Sequence, residues 1–312
     1  MTVDIVGLDR ERRRARKRRA CFEVAVSAFG GVMLVLFAAS LTLMITSGSE
    51  ATEKLVVMLI AGAAGAVLSV AALLLGFRRE YGVFPGLSFL MMSHELKTAP
   101  FTADIDSRTE TFLSRERSAA GRAIIRTLAC RNKLCLGELD KAYGYISYDK
   151  GLFSKNSIYE MKYLVCLMGY YVLSGSTDHF DESYSRFTTL YENRKRKTYD
   201  ISLLWLRARL FASYHNREWT KCSEISCGLD DLLEHTDPAG KAAVAERSLI
   251  RLLAAASDLG LGHYDRAIDN CAMAHNAAGS AFLSEKAAEI TRDARAAIAA
   301  EEKAAQRKDD RL

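Results

Sequence analysis

Residues 259–271, LGLGHYDRAIDNC, decide the fold because their pattern occurs three times earlier in the chain. The large apolar residue Tyr264 is followed three positions later by the small residue Ala267. The same pattern occurs in residues 134–146 (LCLGELDKAYGYI), 175–187 (GSTDHFDESYSRF) and 213–225 (SYHNREWTKCSEI). The corresponding pairs are Leu139/Ala142, Phe180/Ser183 and Trp219/Cys222. Successive small residues lie 41, 39 and 45 positions apart, so the chain contains four related units.

A helical stretch precedes each of these segments, at residues 121–132, 160–175, 201–214 and 248–260. Apolar residues recur there at helical spacing, and no long stretch alternates with a period of two. A small side chain early in the second helix allows the first helix to approach, and the large residue three positions earlier fills the adjoining space. Recurrent helix pairs are typical of an α-solenoid, so we predict an all-α protein with a helical-repeat domain over residues 109–283.

These units resemble the tetratricopeptide repeat. The glycine that this family has five positions before its alanine is matched by Gly137 before Ala142 and by Gly262 before Ala267. The chain departs from the family in three ways: its units are longer, the repeat-ending proline is missing, and the middle two units have serine and cysteine instead of the alanine. The resemblance covers roughly residues 115–280 and implies a concave surface that binds peptides or protein segments rather than a catalytic site.

Two uncharged stretches near the N-terminus, Val24 to Thr46 and Leu55 to Phe77, predict membrane spans. As helices they would each be about 35 Å long, and the hydrocarbon core of a bilayer is about 30 Å thick. The polar loop between them, SGSEATEK, is short, so the two helices must be antiparallel. Gly31, Gly62 and Gly65 favour close packing of two helices, either within this hairpin or between two chains.

The net positive charge of the chain comes from its first nineteen residues. They hold eight basic and three acidic side chains, an excess of five that equals the net charge of the whole chain. A neutral remainder is not typical of a nucleic-acid-binding domain, so we predict no nucleic-acid partner. Arginines precede the first span and Arg78 and Arg79 follow the second, which places both termini in the cytoplasm by the positive-inside rule. The basic tail is also expected to contact anionic lipid headgroups.

We therefore divide the chain into five segments. They are a basic cytoplasmic tail (1–19), a two-span transmembrane hairpin (20–78), a juxtamembrane linker (79–108), the helical-repeat domain (109–283) and a C-terminal charged helix or tail (284–312). The linker contains Pro85, Pro100 and an apolar patch from Leu87 to Met92. This patch could lie among lipid headgroups or pack under the following domain.

Reactive side chains are present, but their spacing does not favour a catalytic or metal site. Cys271 and His275 lie four positions apart, yet no neighbouring unit offers the two further ligands of a structural zinc site. Residues 130/135 and 222/227 are cysteines five positions apart, a poor helical spacing for one metal, so we expect buried free thiols. The pair His94–Glu95 has no second histidine at zinc-protease spacing. We expect no catalytic residue, no cofactor and no metal.

One basic loop has two interpretations. Arg194, Lys195, Arg196 and Lys197 lie at a helix junction, where they form either a solvated loop or a contact with acidic lipid or an acidic partner.

The sequence as a whole predicts a multi-pass protein of a bacterial cell membrane, a scaffold that binds an unidentified protein or peptide at the cytoplasmic face. The alternative is a regulatory or accessory subunit of a larger membrane complex such as a transporter.

Tyrosines such as Tyr143, Tyr171 and Tyr184 are core residues in the simplest interpretation, and those at a surface would be binding residues.

Overall fold

The structure is a computed structural model that describes residues 5–46, 52–81, 87–147, 150–154, 156–195, 197–236, 241–277 and 280–309. In these ranges it contains fourteen α-helices and no strand. The prediction of an all-α protein is confirmed. The helices belong to two compact units, Met1–Gly86 and Leu87–Leu312.

The first unit contains two long helices, α1 (Ile5–Thr46) and α2 (Thr52–Tyr81). Helix α1 includes the stretch Val24–Thr42, whose 19 residues are apolar and long enough to cross a membrane. Only 6% of that stretch is buried within the protein, whereas the core helix of a soluble protein is mostly buried. The corresponding apolar stretch of α2, Val56–Ala72, is shorter. Among the described residues, one helix is therefore clearly apolar enough to be a membrane span.

Small residues allow α1 and α2 to pack closely. A Cβ placed on Gly62 would lie 3.0 Å from Cβ of Phe37 and from the carbonyl oxygen of Met33, and Gly65 faces the Met33 side chain. Ser69 is buried and donates a hydrogen bond of 2.8 Å to the carbonyl of Gly65 in its own helix. The glycines at 62 and 65 are therefore used for contact between the two helices of one chain. Gly31, by contrast, has no heavy atom within 4 Å of the place of a Cβ.

The second unit begins with two helices in the segment predicted as a linker, α3 (Leu87–Thr98) and α4 (Ile105–Arg115). Phe89, Met92 and Leu96 are buried on one side of α3, at positions three and four residues apart. The linker predicted over 79–108 is thus divided, since α2 extends to Tyr81 and α3 belongs to the second unit. Of the two alternatives for the apolar patch, the structure shows packing with the following helices.

Four helix pairs follow, and each predicted repeat unit corresponds to one pair. The first helices are α5 (Ala119–Leu136), α8 (Ser157–Ser174), α10 (Tyr199–His215) and α12 (Lys241–Gly260), and the second helices are α6 (Leu139–Ser147), α9 (Phe180–Glu192), α11 (Trp219–Thr236) and α13 (Tyr264–Ala277). The short helix α7 (Lys150–Ser154) connects the first two pairs, and α14 (Ala281–Asp309) ends the described chain. Each second helix begins at the large apolar residue of its unit, and the small residue three positions later is buried in every pair: Ala142, Ser183, Cys222 and Ala267.

The turns within the first, third and fourth pairs share one hydrogen-bond pattern. Each has a residue with positive φ, namely Gly137 (74°), Arg217 (55°) and Gly262 (77°). The N–H of the residue after it donates to a carbonyl five positions earlier, in Glu138 to Lys133 (3.0 Å), Glu218 to Ser213 (2.8 Å) and His263 to Asp258 (2.8 Å). This is the Schellman ending of a helix. The second pair differs because it has a longer turn with Gly175 and His179 at positive φ.

The first and last pairs of the second unit also contact each other. Helix α12 contacts α5, and α3 contacts both of them. Cys135, Leu249, Leu252 and Leu283 belong to one apolar cluster that joins α5, α12 and α14. Helix α14 buries residues of its first half, including Ala287 and Ala294, whereas residues 299–306 are exposed. The fourth pair thus packs on the first, and α3 covers part of both.

Glycines in these turns give the first prediction. A Cβ at Gly137 would collide with the ring of Phe282, whereas Gly175 has similar φ and open space. We expect Gly137→Ala to lower the free energy of unfolding of the second unit by about 2–4 kcal/mol, and Gly175→Ala by about 1–2 kcal/mol, since only the first adds steric overlap to backbone strain. Gly144→Ala, in open space within α6, is expected to raise it by about 0.5–1 kcal/mol.

Urea unfolding followed by tryptophan fluorescence measures these changes. Both tryptophans of the chain, Trp205 and Trp219, lie in the second unit, so the signal reports that unit alone. Equal losses for Gly137→Ala and Gly175→Ala would contradict the close contact with Phe282.

Candidate functional site

The reactive residues of the fourth pair do not form one site. Cys271 is buried, together with Ala267 and Ala274, whereas Asp265, Asp269 and His275 are exposed. The ring nitrogen Nδ1 of His263 lies 3.9 Å from a carboxylate oxygen of the buried Asp258. The helical face that carries Cys271 is therefore a packing face, and Asp265 and Asp269 lie on other faces of α13. His275 follows Cys271 by one turn of the helix but is exposed to solvent.

Most of the cysteines are buried free thiols, as expected from their spacing. Cys130, Cys135, Cys166, Cys222 and Cys271 are buried, but Cys21 and Cys227 are exposed, so the expectation is wrong for Cys227. Burial raises the pKa of the Cys135 thiol to about 12 and also raises the pKa values of Cys130, Cys222 and Cys271. These thiols stay protonated at neutral pH, and a protonated thiol is a weak nucleophile.

The basic loop after α9 is partly engaged within the chain. A guanidinium nitrogen of Arg194 donates to the Ser157 hydroxyl at 2.8 Å, and the ammonium of Lys197 lies 4.3 Å from the centre of the Tyr191 ring. Lys195 is exposed, and Arg196 lies outside the described residues. Contact of this loop with lipid or with an acidic partner remains a prediction.

Half-exposed aromatic rings lie at two of the three interfaces between one helix pair and the next, which we call the first, second and third joints. At the first joint, Tyr143 of α6 lies 5.0 Å from Tyr170 of α8, which in turn lies 5.7 Å from Tyr171. Tyr163 stacks on Phe153 at 4.7 Å, and burial raises the pKa of Tyr163 to about 12. Tyr163 therefore keeps its hydroxyl proton at neutral pH. We call Tyr143, Tyr163, Tyr170 and Tyr171 the first aromatic cluster.

The second aromatic cluster lies at the next joint. Trp205 of α10 stacks on three rings of α9, those of Tyr184 (6.5 Å), Phe187 (6.1 Å) and Tyr191 (4.5 Å). Phe187 is fully buried, whereas the other rings are half-exposed. Tyrosine and tryptophan present large rigid surfaces with one polar atom, a combination that is enriched in protein–protein interfaces.

The third joint is ionic. Asp230 of α11 accepts hydrogen bonds from Arg247 (2.8 Å) and Arg251 (2.9 Å) of α12, and Glu234 accepts one from Arg247 (2.9 Å). Oxygen atoms of Asp230, Asp231 and Glu234 lie close enough together to hold one cation. Since Arg247 and Arg251 already bind two of these carboxylates, the group links two helices rather than forming an open metal site.

Charged side chains also meet between the first helices of the pairs. Arg207 of α10 makes a bidentate contact with Glu246 of α12, with one Nη2–Oε2 distance of 2.8 Å. Arg131 of α5 approaches the same carboxylate at 3.7 Å. Burial lowers the pKa of the Lys162 ammonium on α8; Asp200 opposes this effect, and the cations Arg131, Lys97 and Arg207 add to it. We call these six residues the charged centre: Lys97, Arg131, Lys162, Asp200, Arg207 and Glu246.

Sequence reasoning missed the charged centre. Its members belong to five helices and lie among apolar residues, for example in the stretch LLWLRARLF (residues 203–211). A charged residue at a position that helical spacing assigns to a buried face is the signal that could have revealed it. Arg207 and Glu246 both occupy such positions.

A cleft of about 700 Å³ lies among α4, α5, α6 and α7. Its wall combines acids such as Asp106 with the bases Arg122, Arg126 and Lys141. The Asp106 carboxylate is bound by Lys133 (2.8 Å) and Lys141 (3.3 Å).

The pair His94–Glu95 on α3 does not form a metal site with another histidine among the described residues. His94 is exposed, and Glu95 forms an ion pair with Arg108.

Comparison with protein-family models, with curated proteins and with solved structures gave no significant match.

Proposed function

We propose that this chain is a membrane-anchored, tetratricopeptide-like scaffold that binds a partner protein at the cytoplasmic face of a bacterial membrane. The observation that carries the proposal is the pair of aromatic clusters at the joints between the first three helix pairs. Half-exposed tyrosine and tryptophan rings that are already held by stacking lose little conformational entropy when a partner covers them. The repeated turn geometry of three pairs supports a repeat architecture.

The proposed anchor is the two-helix hairpin of α1 and α2. The exposed apolar side chains of both helices support it, with Val35 and Ile45 on α1 and Val57 and Val67 on α2 among the most exposed. Such side chains favour lipid over water by about 25 cal/mol per Å² of apolar surface. The basic tail and Arg78–Arg79 favour an orientation with both termini in the cytoplasm.

Photocrosslinking in cells tests the proposed binding surface. A photoreactive phenylalanine analogue at Tyr143 or at Tyr184 is expected to give a covalent adduct with the same partner protein, because both positions belong to the aromatic clusters. The control position is Met273, which is exposed on α13. An adduct only at the control position, or none at either cluster, would refute this surface.

The cysteines that are exposed provide a test of orientation. Cys21 precedes the first span and Cys227 lies in the second unit, so both are expected to resist a membrane-impermeant maleimide in intact spheroplasts and to react after permeabilisation. Ser49→Cys, in the join between the helices, is expected to react in intact spheroplasts. Labelling of Cys227 without permeabilisation would exclude the cytoplasmic location.

The second candidate function, an accessory subunit of a larger membrane complex, is favoured by the open space at Gly31. Gly31→Leu should then release the complex. Gly65→Leu is not a suitable test, because Met33 of the same chain already fills the space beside that glycine.

A further inference from the structure

The cleft among α4, α5, α6 and α7 has the size of a site for a small molecule. Its volume of about 700 Å³ lies within the range of about 300–1,000 Å³ that is typical of such sites. Glu110, Ser114 and Gly144 belong to its wall and are exposed, so the cleft opens to solvent. A ligand of this size can therefore enter without a change in the packing of the helices.

Two walls of the cleft carry opposite charges at the same helical spacing. Asp106 and Glu110 lie four positions apart on α4, and Arg122 and Arg126 lie four positions apart on α5. Residues four positions apart share one face of a helix, so each helix presents a pair of like charges to the cleft. Helix α4 therefore provides an acidic wall and α5 a basic wall.

Only part of this charge is neutralised within the chain. Asp106 is bound by two lysines, and a guanidinium nitrogen of Arg126 donates to the carbonyl of Tyr145 at 3.3 Å. Glu110 and Arg122, in contrast, form no ion pair and no side-chain hydrogen bond within the part of the chain that the structure describes. Opposite charges that line one cleft and do not meet are kept apart by the space between them, and a ligand that carries both charges can bridge that space.

The hydroxyl of Tyr145 is a further unused polar group of the wall. Tyr145 is only 6% exposed, and its hydroxyl has no hydrogen-bond partner among the described residues. Burial raises the pKa of Tyr145, and the carboxylates of Asp106 and Glu110 raise it further. The hydroxyl therefore keeps its proton at neutral pH and can donate it to a ligand. A buried hydroxyl without a partner costs free energy, and a bound acceptor removes that cost.

We propose that this cleft binds a small zwitterion of the size of a dipeptide with free ends. Arg122 binds the carboxylate of the ligand, Glu110 binds its ammonium group, and the Tyr145 hydroxyl donates to an oxygen between these two ends. A guanidinium matches a carboxylate because one has only donors and the other only acceptors, and the same holds for an ammonium group and Glu110. A ligand with one charge would leave either Arg122 or Glu110 unmatched. The inference stands on the cleft alone and does not depend on the proposed function.

Thermal unfolding of the full chain in a neutral detergent, followed by tryptophan fluorescence, tests the proposal. The probe is an equimolar mixture of dipeptides with free ends, which is expected to raise the Tm because a ligand that binds only the folded state stabilises it. The same mixture with acetylated amino ends, or with amidated carboxyl ends, lacks one of the two charges and is expected to have little effect. No rise with the free dipeptides, or an equal rise with either blocked mixture, would overturn the proposal.

Tyr145→Phe separates binding from support of the fold. The substitution removes only a hydroxyl that makes no hydrogen bond within the described chain, so the Tm without dipeptides should not fall. The rise caused by the free dipeptides should decrease to less than about half of the wild-type value. A lower Tm without dipeptides, together with an unchanged rise, would show that the hydroxyl supports the fold and takes no part in binding.

Glu110→Gln and Arg122→Gln each remove one charge that has no ion pair to break within the described chain. Each should also reduce the rise to less than about half. The matched controls are Glu224→Gln and Arg295→Gln, at exposed positions of α11 and α14, and both should keep the full rise. An equal rise for the wild-type chain and for both cleft variants would refute the site.

Discussion

Glu246→Gln is expected to lower the free energy of unfolding of the second unit by about 3–5 kcal/mol at neutral pH. The glutamine keeps the size of the side chain but removes the only carboxylate that contacts both Arg131 and Arg207 among the described residues. Two guanidinium groups and the nearby Lys162 would then repel each other with little water to screen them. Urea unfolding followed by tryptophan fluorescence measures the loss.

The control is Glu234→Gln, another glutamate that binds an arginine. Its carboxylate is 54% exposed and contacts Arg247, which also binds Asp230. Water screens this pair and Asp230 retains the arginine, so the expected loss is below about 1 kcal/mol. A similar loss for both variants would show that the contacts of Glu246 are no stronger than a surface ion pair.

Acidification should reveal the same interaction. Burial alone would raise the pKa of Glu246, but Arg207 and Arg131 outweigh burial and hold the pKa below its ordinary value of 4.5. A carboxylate with a depressed pKa in the folded state stabilises the fold at pH values above 4.5, and this stabilisation is lost as the pH falls through the lower folded value. The difference in stability between wild type and Glu246→Gln should therefore shrink below pH 4.5.

The helix pairs could be predicted because their signals are local. A turn, a large apolar residue and a small residue lie within eight positions of each other, as in Gly137, Leu139 and Ala142, and each second helix begins at the large residue. The prediction that such pairs form a tetratricopeptide-like solenoid remains a prediction. The contact of α12 with α5 depends on the rotation between successive pairs, which no single unit specifies.

The charged centre could not be predicted for the same reason. Arg207 and Glu246 lie 39 positions apart, and Arg131 and Lys97 come from two further helices. Helical spacing identifies which side of its own helix each residue occupies, but not which residue of another helix it meets. Helix α3 was missed for a different reason, since it has only 12 residues and two prolines, Pro85 and Pro100, flank it.

The docking of α3 gives the last prediction. Leu96 is almost fully buried, and its carbonyl accepts a hydrogen bond of 2.8 Å from the Asn132 side chain of α5. We expect Leu96→Ala to lower the free energy of unfolding of the second unit by about 2–5 kcal/mol, and the control Met91→Ala, exposed on the same helix, to change it by less than about 0.5 kcal/mol. Urea unfolding followed by tryptophan fluorescence again gives the measurement. If the two variants were equally stable, α3 would not be part of the second unit, and the faces of α5 and α12 that it covers would be open to a partner. A large loss for Leu96→Ala alone means that α3 occupies those faces, so a partner must bind elsewhere, as at the aromatic clusters, or displace α3.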